Sequence, residues 1–275
     1  MNRAMNRITT LVIACAAASV TFAQDRVAVP LSSPSQPATV KARLISGSIT
    51  VTAGSGSEVV VETQSSGRPA RERVSPPPPP GMHQIDVGGR GFSVEEDHNV
   101  VTVIPDMRGG RNGDNLTIQV PVNTSLELKT VNGGNVDVTG ISGDLDVENT
   151  NGSITLKNVS GAVVAHTVNG AVTVSLDRLA AGKPMSFTSL NGRVDVTLPA
   201  DAKARLRLKT TNGAVYSDFD VKMDADNSKP VIEDNRNKGG RYRIRMDHGV
   251  SGTINGGGPD YTFQTMNGDI LIHKK

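Results

Sequence analysis

The chain has 275 residues, room for one large domain or two ordinary ones. Its 29 basic residues, less Arg3 and Arg7 in the first 23 positions, leave 27 against 27 acidic ones, so the basic footprint that nucleic acid requires is missing and no nucleic-acid partner is expected. Five Phe, three Tyr and no Trp supply neither stacking platforms for single strands nor anchors for a thick core, but they fit a thin solenoid built on a repeated aliphatic column.

Residues 1–23 read as a signal peptide. Arg3 and Arg7 form a positive start, Ile8 to Val20 an apolar stretch, and Thr21-Phe22-Ala23 a small-residue cleavage site before Gln24. The apolar stretch is too short to span a bilayer comfortably. Export to the periplasm or the cell surface is therefore expected. Cys15 is the only cysteine, and cleavage after Ala23 leaves no thiol for a disulfide or redox site. Val12-Ile13-Ala14-Cys15 also resembles a lipoprotein box, which would lipidate Cys15 and provide the only membrane attachment. Ala16-Ala17-Ala18 prolongs the apolar run where lipoproteins turn polar, and so favours soluble release.

Residues 24–38 hold three prolines and read as an extended lead-in to one β-strand-repeat domain over residues 39–275. Val40 to Thr52 alternates and contains Ser46-Gly47-Ser48-Ile49-Thr50-Val51, a degenerate copy of a later phrase. Glu58 to Thr63 is a further strand. Residues 65–90 form a loop insertion, in which Pro76 to Pro80 offer no backbone donors and suit a solvated polyproline II stretch. Phe92 to Glu95 and Val100 to Val103 pair as a hairpin around Asp97-His98-Asn99. Residues 106–115 are a polar loop, after which Leu116 to Val120 leads into the repeats.

The later phrase is Thr-x-Asn-Gly, with some exchange at its first position. It recurs at Asn132-Gly133, Asn151-Gly152, Asn169-Gly170, Asn191-Gly192 and Asn212-Gly213, with a sixth copy at Asn267-Gly268. The steps between the first five asparagines are 19, 18, 22 and 21 residues, a near-fixed period that signals a solenoid or array. Before each Asn the residues alternate, as Leu206, Leu208 and Thr210 do before Asn212, which describes a strand with one buried face. After the Gly the inward set shifts by one, as Val172 and Val174 show, a shift that a left-handed glycine can make. Asn-Gly also suits a two-residue hairpin turn, and the consensus alone does not separate the two uses. The regular period, with two strands in each, favours an all-β, β-helix-like solenoid of about 20-residue coils with Asn-Gly corners. Stacked asparagines would then form a hydrogen-bonded ladder.

Residues 224–240 are a second loop insertion, and Arg241 to Met246 a strand with Arg outward. Gly252 to Pro259 reads as a tight Gly-rich turn. Tyr261, Phe263, Thr265, Ile270 and Ile272 form the last coil, and Lys274-Lys275 a polar stop against edge pairing.

The Ser46 to Val51 phrase, the Thr-x-Asn-Gly coils and the ending Gly256-Gly257-Gly258-Pro259 with Phe263, Thr265, Asn267-Gly268-Asp269-Ile270 and Ile272 resemble the bacterial "putative adhesin" family. Its members are exported β-strand-repeat envelope proteins, a domain of unknown function. The resemblance covers residues 39–275 less the proline insert. It implies a β-solenoid in the cell envelope and brings no catalytic motif.

The polar residues give little chemistry. Gly252 to Gly258 lacks the Gly-Lys-Ser/Thr and the helix of a phosphate loop. His83, His98, His166, His248 and His273 fall at no metal-ligand spacing, so neither metal nor cofactor is expected. No Gly-x-Ser-x-Gly elbow marks a nucleophile. Asp137, Asp144, Asp146 and Glu148 are close in sequence, with Asp195 two coils later; an acid/base or calcium site needs two or three of them to converge. The expectation is a non-enzymatic, adhesin-like binding or structural module whose partner is a surface, matrix or envelope protein or glycan. One rival is a carbohydrate-active β-helix enzyme working through Asp137 or Asp195. The other is an envelope-stress or signalling accessory module that captures a membrane protein.

Overall fold

The computed structural model describes residues 25–65, 92–105, 114–225, 231–234, 242–245 and 249–275. The signal peptide with Cys15, the Pro76–Pro80 stretch, the loop at 106–113 and most of the 224–240 insertion lie outside the described residues, as do His83 and His248.

The chain opens with β1 (Asp25–Pro30), β2 (Ala38–Ser46), β3 (Ile49–Gly54) and β4 (Glu58–Ser65). A hairpin of β5 (Phe92–Asp97) and β6 (Val100–Pro105) precedes β7 (Asp114–Pro121). Four regular coils follow: β8 (Thr124–Asn132) with β9 (Val136–Thr139), β10 (Leu145–Asn151) with β11 (Ile154–Gly161), β12 (Val163–Asn169) with β13 (Val172–Leu179), and β14 (Met185–Asn191) with β15 (Val194–Leu198). Next come β16 (Ala204–Asn212), β17 (Val215–Ser217) and β18 (Lys222–Met223). The chain ends with β19 (Val231–Asp234), β20 (Tyr242–Arg245), β21 (Val250–Ile254), β22 (Asp260–Asn267) and β23 (Ile270–Lys274).

These strands form two large, mainly parallel sheets, and β19 and β20 pair by themselves. Each coil gives its first strand to an eleven-stranded sheet and its second to a ten-stranded one, so the fold is a two-sheet β-solenoid. Alternation builds the core. Leu126 and Leu128, Leu145 and Val147, and Val163 and Ala165 all point inward and pair coil to coil. From the other sheet, Val136 and Val138, Ile154 and Leu156, and Val172 and Val174 face them. Burying such aliphatic side chains contributes about 1.5–3 kcal/mol each, which is how a core nearly without aromatics holds.

Stacking order departs from chain order at both ends. The coil of β22 and β23 lies between β14–β15 and β16–β17, not at the end of the stack. Phe263 thereby reaches Phe187, their rings 5.2 Å apart and 29° from parallel. At the other end, β2 and β3 lie between β6–β7 and β8–β9. The last coil is thus an interior one, and Lys274 and Lys275 guard no edge: Lys275 donates its backbone N–H to Leu198 at 2.9 Å. Antiparallel strands cap the stack instead, except at β17, which ends the ten-stranded sheet among the described residues. β1 and β4 cover β7, β5 covers β6, and β21 with β18 covers β16. Such caps blunt the open edges a parallel stack would leave. The lead-in accordingly contains a true strand, β1, and Gly252 sits inside β21 and not in a turn.

The glycines serve contact more than handedness. Gly152, Gly170, Gly192 and Gly213 do not have positive φ. A Cβ on them would sit 2.1, 2.3, 2.0 and 1.9 Å from the carbonyl oxygens of Gly134, Gly152, Gly170 and Gly268. Close stacking of one corner on the next excludes any side chain there. Gly133 differs: its φ is +77° and a Cβ would meet nothing within 4 Å. It is an added residue, and Gly134 is the stacking glycine of that coil.

Candidate functional site

Six asparagines line the corner that leaves the eleven-stranded sheet. Side-chain amides donate to the next side-chain oxygen from Asn151 to Asn132 (3.3 Å), Asn169 to Asn151 (2.8 Å), Asn191 to Asn169 (2.8 Å), Asn267 to Asn191 (2.6 Å) and Asn212 to Asn267 (2.8 Å). Two residues earlier, a hydroxyl crosses to a glycine carbonyl: from the buried Thr167 to Gly152, Ser189 to Gly170 and Thr265 to Gly192, each at 2.8 Å, and from the half-buried Thr210 to Gly268 at 2.9 Å. Asn149 replaces the hydroxyl in one coil. Its amide reaches the Gly134 carbonyl at 2.8 Å, but its Oδ1 is buried without a partner among the described residues. All six Asn-Gly coils share the asparagine ladder, so it holds the scaffold and singles out no ligand.

The outer face of the eleven-stranded sheet varies more. One row runs Lys41, Glu127, Asp146, and the next runs Arg43, Lys129, Glu148, His166. Lys41 pairs with Glu127 at 3.2 Å and Lys129 with Glu148 at 3.3 Å. The Glu148 hydrogen bond and charge hold the Lys129 ammonium above its usual range. Partial burial, then the Glu148 charge, pushes the Asp146 carboxyl up. Arg43 has no ion-pair partner among the described residues. Beside these rows, Ile45, Ile104 and Val131 are 51, 43 and 37% exposed and line a groove of about 610 Å³.

The acidic residues of the enzyme reading do not converge. Asp137 and Asp195 face outward on the ten-stranded sheet, with Thr155 and Thr173 between them. Three strand spacings make that separation about 14 Å. Asp146 and Glu148 lie on the other sheet. Asp144 sits at a corner, paired with Lys183 at 2.6 Å, which holds its carboxyl below the usual range. No group of three His, Cys, Asp or Glu among the described residues is placed to hold a metal ion. His166 bonds Thr188 at 2.7 Å, and His98 its neighbour Asp97. Sequence spacing hides the setting of His273, whose ring lies 3.1 Å from Asp218 and 3.7 Å from Asp195. Only the displaced last coil brings those three together.

A second recess opens at the corner that returns to the eleven-stranded sheet. Val163 follows Ile154 by nine positions, whereas Met185 follows Val172 by 13. The extra residues lie in Ala180–Pro184 and make one wall. Pro199–Lys203 makes the other, tied down by the Asn255 amide at 2.8 Å from the Ala202 carbonyl. Between them is a cleft of about 560 Å³ that reaches Tyr261. Arg178, Asp201 and Lys203 are exposed on its rim and have no ion-pair partner among the described residues.

No curated protein matches the chain. A "putative cell adhesion protein" from Clostridium sporogenes ATCC 15579 aligns in structure at 10% identity over 92% of this chain and 99% of its own, with a TM-score of 0.45. A "putative adhesin" from Bacteroides fragilis NCTC 9343 aligns at 11% identity over 93% and 98%, with a TM-score of 0.41. The model of the Toastrack DUF4097 family matches residues 113–255, more than half of the chain and all four regular coils. The protein belongs to the Toastrack DUF4097 family.

Proposed function

We propose that the protein is an exported, non-enzymatic binding module of the cell envelope that docks a protein partner in the groove beside Ile45, Ile104 and Val131. The observation that carries this reading is the groove itself. Ile45, Ile104 and Val131 stay uncovered together along it, whereas the other exposed apolar residues of this sheet, Val164, Leu190, Met223 and Met266, do not line it. Lys41, Glu127, Lys129 and Glu148 satisfy one another around it, whereas Arg43 has no ion-pair partner among the described residues. The fitting occupant is a protein segment that presents apolar side chains followed by a carboxylate for Arg43. Residues 1–23 act as the cleaved export signal, supported by the basic start, apolar stretch and Thr21-Phe22-Ala23 site.

Two measurements test this. Mass spectrometry of the envelope-fraction protein should find Gln24 as its first residue; an intact Met1 in the cytoplasm would refute export. A photo-crosslinking residue at Ile45 should give one discrete protein adduct in cells, lost in Val131→Glu. The same probe at Tyr216, on the opposite sheet, should give none. Equal adducts from both faces, or none from Ile45, would sink the docking reading.

A further inference from the structure

We infer that the corner cleft between Ala180–Pro184 and Pro199–Lys203 binds a carboxylate-bearing sugar, the chemistry of a uronic acid within an acidic glycan. The starting point is Tyr261. It is only 1% exposed, it lines the cleft, and its hydroxyl has no hydrogen-bond partner among the described residues. With no protein partner, that hydroxyl is free to donate to and accept from a ligand in the cleft. Burial also keeps this phenol in its neutral, donating form by pushing its pKa up.

The rim supplies the remaining recognition. Arg178 presents a planar fork that suits a carboxylate, and Lys203 adds a second cation from the facing wall. Asp201 accepts from sugar hydroxyls and disfavours a more highly charged phosphate by repulsion. Asp177, also at the cleft, is already engaged by Lys275 and does not cancel Arg178. Leu179 and Pro199 provide apolar surface for the C–H face of a pyranose ring. The volume of about 560 Å³ accommodates one or two sugar units. The cleft lies at a corner, apart from the groove around Ile45, so this site stands whether or not that groove docks a protein.

Calorimetry and saturation-transfer NMR with the exported chain, using galacturonic acid and its trimer as probes, test the assignment. Saturable galacturonate binding should appear, with galactose and inorganic phosphate each at least about tenfold weaker. Arg178→Gln and Lys203→Gln, both exposed and away from the core, should each weaken galacturonate by about fivefold or more. Tyr261→Phe should weaken it similarly without lowering Tm, because the ring and its packing remain. The inference fails if galacturonate shows no saturable binding, if galactose or phosphate binds equally well, or if the Arg178→Gln/Lys203→Gln double variant keeps full affinity.

Discussion

At the corner leaving the eleven-stranded sheet, Asn151, Asn169, Asn191, Asn267 and Asn212 follow one another within hydrogen-bond reach. At the corner returning to it, the chain spends one residue, Ala162, between β11 and β12 but five, Ala180–Pro184, between β13 and β14. The stacking glycines of the first corner, Gly134, Gly152, Gly170, Gly192, Gly213 and Gly268, tolerate no side chain, because each lies against the backbone of its neighbour. The second varies in length and projects from the stack at Ala180–Pro184, although elsewhere along it a Cβ on Gly143 or Gly161 would sit 2.3 or 2.2 Å from the carbonyl oxygens of Thr124 and Gly143. In a solenoid the invariant column holds the coils together and the variable one makes recesses. That division predicts that substitutions at the two corners differ in kind: loss of stability at one, loss of binding at the other.

The largest effect is expected at neither corner but in the coil that joins both. Phe263→Ala removes a fully buried ring stacked on Phe187 and should cost about 3–5 kcal/mol in urea unfolding. A cost below about 1 kcal/mol would mean that the last coil is not seated between β14 and β16. Gly170→Ala comes next. Its Cβ would fall 2.3 Å from the Gly152 oxygen, backbone against backbone, so about 3 kcal/mol of strain is expected. Gly182→Ala, in the projecting loop, meets nothing within 4 Å and has only its φ of +71° to oppose it, for about 1–2 kcal/mol. Equal costs at Gly170 and Gly182 would erase the distinction between the corners.

Much of the scaffold was legible in the sequence because it rests on local periodicity. Alternation before Asn212 and the shift after Gly170 describe strands and a corner that the structure contains. The place of Asn267 in the stack was not legible. Nothing in Tyr261 to Ile272 distinguishes a terminal coil from an intercalated one, since both satisfy the same pattern. The outcome depends on which neighbours accept it, here Met185 and Leu206 beside Tyr261. The cleft was half written, in the 22- and 21-residue steps, but the unpartnered Tyr261 hydroxyl appears only after that displacement. The glycines misled for a related reason. Asn-Gly suggests a left-handed turn, whereas the constraint at Gly152 is the coil stacked against it.

Asn149 offers a smaller test at the uniform corner. Thr130, Thr167 and Thr265 each donate a hydroxyl to a glycine carbonyl, whereas Asn149 leaves its Oδ1 buried and unpaired among the described residues. Asn149→Thr should therefore stabilise by about 1 kcal/mol, through removal of that unsatisfied oxygen. Thr167→Val, which strips the corresponding hydroxyl, should destabilise by about the same amount, as judged by the shift in Tm. If both variants lose stability, the column depends on packing at each site and not on the shared hydrogen bond.

The smallest expected effect concerns Asp144 at the corner and Asp146 on the outer face, which respond to pH in opposite directions. Asp144 has its carboxyl held down, chiefly by the Lys183 hydrogen bond, so its contribution is present above the unfolded carboxylate pKa and fades as pH falls through the folded one. Asp146 has its carboxyl pushed up by partial burial and then by Glu148. Its ionised form therefore opposes folding at neutral pH, and that opposition disappears once the group is protonated in both states, below about pH 4. Asp146→Asn should raise stability at pH 7 by about 0.3 kcal/mol, a small figure because solvent screens the site, and make no difference at pH 3. Paired urea titrations at the two pH values check this. A gain that persists at pH 3 would trace to packing of the amide, and a loss at pH 7 would show that Asp146 is held by a cation of the groove, placing it among the charges that select the partner.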